Sequence, residues 1–321
     1  MAALRVNDLS VWFESRSGPK RVVDNISFSI KAGETTGLVG ESGCGKSMTA
    51  LAILGLLPSS GVTVRSSGIQ LNGLELSTLT AAQRRRVLGR DISMIFQQPG
   101  TALDPVFTIG QQISSVYRRH IGGTRKHIHQ TMLDSLENVG FPRAQEIAAA
   151  YPHQLSGGMR QLTMIAMATV CQPAVIIADE PTTALDGNTR ALILQQLNKL
   201  QAATQTAILL ISHDLAVVRK ICSEVMVMYC GRILEKTSCQ NLFERPRHPY
   251  TDGLLSCIPK ISDTRPPLIR AIPGQVPAAT ELPTGCHFAP RCSRAGTQCT
   301  QSVPELDSTG SSDVACFRPL Q

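Results

Sequence analysis

No stretch of this 321-residue sequence approaches the 18 or more consecutive apolar residues of a membrane-spanning helix. The richest short runs are 174–178, 208–211 and 225–229, so the chain is not expected to cross a bilayer by itself. Its start, MAALRVNDLS, lacks a basic segment followed by an apolar one, which leaves no mark for secretion and makes a cytoplasmic location the expectation. Internal repeats and sustained heptads are missing too, so each motif occurs once and a long coiled coil is excluded. Charge is sparse at 17%, with 31 basic against 24 acidic residues and a net +7, a balance of the size that serves solubility. What the chain does have is 42% hydrophobic residues, which excludes intrinsic disorder, and a length that suggests about two domains. Its ten cysteines, in a reducing compartment, argue against a disulfide framework.

Apolar and polar residues alternate at Leu9, Val11 and Phe13 and again at Ile26, Phe28 and Ile30, predicting antiparallel strands. Residues 36–39 run apolar into the glycine-rich GESGCGKS, and 47–57 reads as a helix closed by Gly55 and Pro58. Strand and turn signals return over 61–76, a polar, basic stretch covers 84–129, and helical spacing appears from 130 to 170. From 174 a strand (174–179), a helix (190–200), a strand (207–211), a helix (215–221) and a strand (225–229) alternate, which implies a parallel sheet. Beyond about 241 the chain is rich in proline (Pro246, Pro249, Pro259, Pro266, Pro267, Pro273, Pro277, Pro283) and ends in a cysteine cluster, expected to be a separate appendage.

GESGCGKS satisfies GxxxxGK[ST] at every specified position and sits between a predicted strand and helix, as that phosphate-binding loop requires. Gly40, Glu41, Ser42, Gly43, Cys44, Gly45, Lys46 and Ser47 are therefore candidate ATP-binding residues. Glycines let successive N–H groups face the phosphates, Lys46 reaches the terminal ones, and the Ser47 hydroxyl suits magnesium. Asp179 closes an apolar strand, where a carboxylate can hold the metal, and Glu180 beside it can polarise the attacking water.

Between the loop and the acidic pair stands LSGGMRQ (155–161), which resembles the signature motif of ATP-binding cassette (ABC) proteins. That resemblance implies an α/β P-loop ATPase fold with an antiparallel β subdomain, a helical insert and a C-terminal cysteine-containing extension. It implies that Ser156, Gly157 and Gly158, with Asp186 in TTALD, contact ATP held by the opposite subunit of a dimer. It makes Gln97 in SMIFQQP the Q-loop glutamine, catalytic and magnesium-binding, and His213 in LLISHD the catalytic switch histidine. Phe13 falls where an aromatic side chain stacks on adenine, with a core phenylalanine as the other reading. YPHQLSGGMRQ, IADEPTTALD, VMYCGRILE and HPYTDGLL resemble more specifically the ATPase subunits of dipeptide and oligopeptide importers, nearly end to end. Three departures stand out: Cys44 in place of serine, Gln98 in place of an acid, and GNTR at 187–190 in place of VxxQ. None removes a catalytic group.

Cys286, Cys292, Cys299 and Cys316 crowd the tail, while the other six cysteines are scattered over the first 285 residues. Their spacing matches neither the CxxC hairpins of ordinary zinc sites nor the ferredoxin run, so spacing alone names no metal. CHFAPRCSRAGTQC resembles the C-terminal motif of the peptide-importer ATPases, which implies a four-iron four-sulfur cluster; zinc, or free thiols or a disulfide, are the alternatives. The expected organisation is a nucleotide-binding core with the β subdomain at 1–97, a helical subdomain with the signature at 98–170, the second part of the core at 171–240 and the extension at 241–321.

The resemblance implies an ATP hydrolase, peripheral on the cytoplasmic face of a bacterial inner membrane, using ATP and Mg2+ to power import of di- or oligopeptides. Implied partners are a paralogous ATPase subunit (or a second copy), two membrane permease subunits and an extracytoplasmic substrate-binding protein, with no nucleic acid. The same engine importing antimicrobial peptides, nickel or metal chelates, or glutathione is the alternative, and a soluble cassette regulator of ribosomes or DNA a distant one.

Overall fold

The computed structural model describes residues 2–16, 18–183, 185–258, 271–278, 280–309 and 312–320. Pro259, Pro266 and Pro267 of the proline-rich stretch lie outside the described residues. The chain begins with β1 (Ala2–Phe13), β2 (Lys20–Lys31), β3 (Thr35–Val39), α1 (Lys46–Leu54), β4 (Val62–Arg65), β5 (Gly68–Leu71) and β6 (Leu74–Glu75). There follow α2 (Ala81–Val87), β7 (Ile92–Ile95), α3 (Pro99–Ala102), α4 (Ile109–His120), α5 (Arg125–Asn138), α6 (Ala144–Ala149), α7 (Gly157–Thr169) and β8 (Val175–Asp179). Next come α8 (Gly187–Thr204), β9 (Ala207–Ser212), α9 (Leu215–Ile221), β10 (Glu224–Tyr229) and β11 (Arg232–Ser238). The last elements are α10 (Cys239–Glu244), α11 (Pro249–Ser256), α12 (Thr297–Gln301), β12 (Asp307–Thr309) and β13 (Ser312–Val314). No helix among the described residues is long and apolar enough to cross a membrane.

Two compact units result, one of Met1–Arg5, Ser29–Thr35 and Gln70–Leu210, the other of Val6–Phe28, Thr36–Ile69 and Ile211–Gln321. In the first unit β7 and β8 pair in parallel, Ile92 with Val175 through Ile95 with Ala178. Every residue of β8 and β9 is buried, the near-continuous apolar run of a strand covered on both faces. Helices α4 to α7 pack on one another, and α7 also rests on β7.

Helices arrive earlier in that unit than hydrophobic spacing predicts, at α2 and α4 rather than at residue 130. Both open on a capping box that the basic composition hides: Thr80 with Gln83, and Thr108 with Gln111. In each, the threonine hydroxyl takes the N–H three residues on, while the glutamine carbonyl takes the threonine N–H. Arg118, Arg119 and His120 in the last turn of α4 suit the negative end of its dipole.

In the second unit the expected antiparallel start is present, with Phe13 of β1 opposite Val62 of β4. β3 runs parallel to β10, Thr36 beside Glu224 through Val39 beside Val227. β10 turns back through Gly231 into antiparallel β11, with a bulge between Val227 and Met228. Helix α1 ends three residues sooner than expected because Gly55, at φ 64°, caps it and bonds back to the Ala52 carbonyl. The tail is not a separate appendage. β13 adds to β11, Ser312 opposite Thr237 and Val314 opposite Glu235, and β12 adds to β13.

Candidate functional site

The phosphate loop belongs to the second unit, between β3 and α1. Gly40 has φ 154°, and a side chain on it would run into the Met228 carbonyl; Gly45, at φ 110°, has room for none, since a Cβ there would stand 2.7 Å from the Val22 carbonyl. Gly43, at φ 80°, meets nothing within 4 Å and forms the open rim. Lys46 is buried at 5% exposure, and its ammonium donates to the carbonyls of Gly40 (2.8 Å) and Glu41 (3.0 Å), spanning the loop. Ser42 and Gly43 are exposed and Ser47 half-buried at the start of α1. Cys44 is buried; burial pushes its thiol up, so it is a neutral filler, and its carbonyl accepts the Gly231 N–H. An open rim, positive-φ glycines, a helix N-terminus and a lysine tied to the loop backbone fit a nucleotide's phosphates.

In the first unit, β8 ends on the buried Asp179, and Glu180 follows with φ 46°, a conformation rare for a residue bearing a Cβ. Its Oε2 accepts hydrogen bonds from Gln97 Nε2 (2.8 Å) and from the Thr183 hydroxyl (2.9 Å). The structure thus brings together two residues 83 positions apart that sequence placed in separate motifs. Gln97 is exposed just past β7, on a segment that also shows Phe96 at its surface.

Ser156 caps α7, accepting the Met159 N–H at 3.3 Å, and both it and Gly157 are exposed. Gly158 leaves no room for a side chain, because a Cβ would meet Thr189 Cγ2 at 2.5 Å. Asp186 caps α8, accepting the N–H groups of Asn188 and Thr189 and the Thr189 hydroxyl. The Thr189 hydroxyl bond is the foremost reason its carboxyl lies below the usual range. In the second unit, His213 is exposed between the end of β9 and Asp214, whose side chain caps α9. Phe13 ends β1 half-buried.

Cys286, Cys292, Cys299 and Cys316 line one cavity of about 10 Å3, together with His248, Phe288 and Phe317. Even so, no group of three or more His, Cys, Asp or Glu among the described residues is placed to hold a metal ion. The expected iron–sulfur or zinc centre is therefore not formed by the side chains as they stand. The physical reason is packing: the cavity has room for about one water molecule. Burial also pushes the Cys286 thiol up and that of Cys316 to about 11.

Sequence reading missed a set of tail residues that reach the loop. The Arg291 guanidinium bonds both oxygens of the Glu41 carboxylate, at 2.7 and 3.0 Å, and Tyr250 OH accepts the Glu41 N–H at 2.9 Å. PRC at 290–292 gives no sign of it, since the partner lies 250 positions away.

Residues 23–183 match the ABC transporter family, and residues 234–299 match the oligopeptide/dipeptide transporter C-terminal region. The oligopeptide transport ATP-binding protein AppD of Bacillus subtilis (strain 168) is 45% identical over 98% of this chain and 96% of its own length. The dipeptide transport ATP-binding protein DppD of Escherichia coli (strain K12) is 43% identical over 100% and 98%. Among solved structures, the dimeric post-hydrolysis ATP-binding cassette MJ0796 bound to ADP and Pi superposes with TM-score 0.66 at 23% identity, over 74% of this chain and 98% of that one, a likeness of fold. With half its length inside the family's match and relatives aligned nearly end to end, this chain belongs to the ABC transporter family.

Proposed function

We propose that this chain binds and hydrolyses ATP to drive import of dipeptides or oligopeptides. The observation that carries the ATP part is the loop 40–47, where Lys46 is tied to the carbonyls of Gly40 and Glu41 beside an open glycine rim. The cargo is supported by the match of residues 234–299 to the oligopeptide/dipeptide transporter C-terminal region and by near full-length relatives that are oligopeptide and dipeptide transport ATP-binding proteins.

In this reading Gly40 to Ser47 hold the phosphates, Phe13 stacks on adenine, and Glu180 takes a proton from the attacking water. Gln97, bonded to the same carboxylate, orients it. His213 is the switch that contacts the terminal phosphate. When bound, magnesium supplies positive charge at the phosphates, and Ser47, Gln97 and Asp179 are its proposed ligands. Ser156, Gly157 and Gly158 act on the nucleotide of a partnering ATPase, with Asp186 beside them; the exposure of Ser156 and Gly157 supports this. Residues 1–97 and 171–240 are the ATPase core, 98–170 the helical subdomain and 241–321 the extension.

The partners are a paralogous ATPase, two membrane permeases and an extracytoplasmic binding protein, placing the chain peripherally on the cytoplasmic face of the bacterial inner membrane. Val106 (70% exposed) and Phe107 (50%), apolar side chains shown to solvent between Gln97 and α4, support a protein partner on that side. The four tail cysteines are assigned to one iron–sulfur centre, with zinc as the alternative; their sharing of one cavity supports this, and uptake requires the cavity to widen. No step of ATP hydrolysis runs through it.

The experiment is ATP-driven uptake into vesicles carrying the assembled transporter, with dipeptides, oligopeptides, nickel and glutathione as competing cargoes. Peptide uptake abolished by Lys46→Ala is expected. Uptake of nickel or glutathione without peptides would overturn the cargo, and undiminished ATP binding by Lys46→Ala would overturn the nucleotide site.

A further inference from the structure

We infer that Arg291 is a positioning residue for ATP, holding Glu41, and through it the Lys46 ammonium, from the C-terminal region of the chain. The inference rests on the phosphate-loop reading above, and every residue in it belongs to the second unit.

Glu41 is held at three points. Its N–H goes to Tyr250 OH, its carbonyl receives the Lys46 ammonium at 3.0 Å, and its carboxylate meets the Arg291 fork with one nitrogen on each oxygen. A fork fixes the orientation of a carboxylate as well as its position, which a single bond does not. The arginine is itself over-determined. Its Nε donates to the Pro273 carbonyl at 2.9 Å, a terminal nitrogen reaches Tyr229 OH at 3.4 Å, and the guanidinium lies over the rings of Tyr229 and Phe288. Its side chain is 5% exposed, against 28% for that of Glu41, so the charge is fixed from the tail side and the loop is the part being held. The bond to Glu41 raises the arginine pKa further, so the guanidinium keeps its charge.

A bridge that only stapled the tail would need any acid on the surface. This one uses the acid whose own carbonyl cradles the lysine that reaches the phosphates. Holding the Glu41 carboxylate restricts the backbone angles its residue can adopt, and with them the position of the carbonyl that receives Lys46. The Arg291 contact therefore bears on ATP affinity, while the groups assigned to bond cleavage belong to other residues.

The test uses the full chain and a fluorescent ATP analogue with Mg2+, then the assembled transporter for turnover. Arg291→Lys keeps the charge and loses the fork; its ATP dissociation constant and KM should rise about tenfold, with kcat at saturating ATP kept within about threefold. Arg291→Gln, which loses the fork and the charge, should show the same split and serves if Arg291→Lys does not fold. The exchange of both, Glu41→Arg with Arg291→Glu, should bind ATP more tightly than Arg291→Glu alone. Lys46→Ala is the control: if it binds ATP like the parent, the phosphate-loop reading fails. If Lys46→Ala loses ATP while Arg291→Lys and Arg291→Gln melt at lower temperature yet bind within twofold of the parent, the bridge is a staple and this inference alone is overturned.

Discussion

Glu180→Gln separates chemistry from folding more cleanly than any other change in this chain. The Glu180 oxygen that accepts from Gln97 and Thr183 has a counterpart in the glutamine carbonyl, so both bonds survive in neutral form. Trading a charged acceptor for a neutral one costs about 1 kcal/mol per bond, or about 2 kcal/mol of stability before solvent weakens it at this half-buried position. Losing a positioned base costs about 10²- to 10⁴-fold in turnover, equivalent to roughly 3–5 kcal/mol of barrier. The predicted outcome is a folded protein, a melting temperature lowered by a few degrees, ATP binding retained and turnover reduced by two to four decades. Single-turnover hydrolysis in the assembled transporter, beside equilibrium ATP binding, reads each part. A companion variant, Gln97→Glu, puts a second carboxylate at hydrogen-bond distance from the first, so the pair retains a proton to higher pH and the rising limb of the rate profile moves up. Parental turnover in Glu180→Gln refutes the assignment of the base, and an unmoved profile in Gln97→Glu refutes the contact.

The isolated chain, verified as a monomer by light scattering, should hydrolyse ATP poorly and gain activity with its paralogue and permeases; equal rates would refute a signature acting across subunits. Gly45→Ala, whose new Cβ meets the Val22 carbonyl at 2.7 Å at a positive φ, should cost about 1–3 kcal/mol and weaken ATP binding, as checked by denaturant melts and nucleotide titration. Anaerobic purification followed by iron, sulfide and zinc analysis tests the tail. Cys292→Ser should remove any brown absorbance and speed proteolysis beyond about residue 260, leaving ATP binding intact, and absence of both metals reduces the four cysteines to thiols or a disulfide.

Elements that announce themselves by local chemistry were legible in the sequence. The strand at 225–229, the helix at 215–221 and the glycine loop at 40–47 each follow from apolar runs, caps or glycine spacing within a few residues. The helices α2 and α4 were not, because their apolar stripes are thin and the signal is a two-residue box, Thr80/Gln83 and Thr108/Gln111, inside a basic stretch. At the site, every motif could be found one at a time, yet the Gln97–Glu180 and Glu41–Arg291 bonds join residues far apart in sequence and could not. Periodicity describes how a segment meets its surroundings and carries no address for its partner. The same limit hid β13, three residues with nothing apolar but Val314, which join β11 by backbone bonds that any sequence can make.

That small strand has a consequence in time. During synthesis β11 is complete when Ser238 emerges, but the neighbour that covers its outer edge starts only at Ser312. At about 5–20 residues per second the ribosome needs several seconds to deliver the intervening stretch, and throughout it β11 presents unpaired N–H and C=O groups to any other nascent chain. A ribosome stalled or a message truncated in that interval releases a chain that already contains the whole of residues 40–213 with an open sheet edge. Such a fragment is a candidate for edge-to-edge aggregation rather than a slower ATPase, so closing that edge waits on Ser312–Val314.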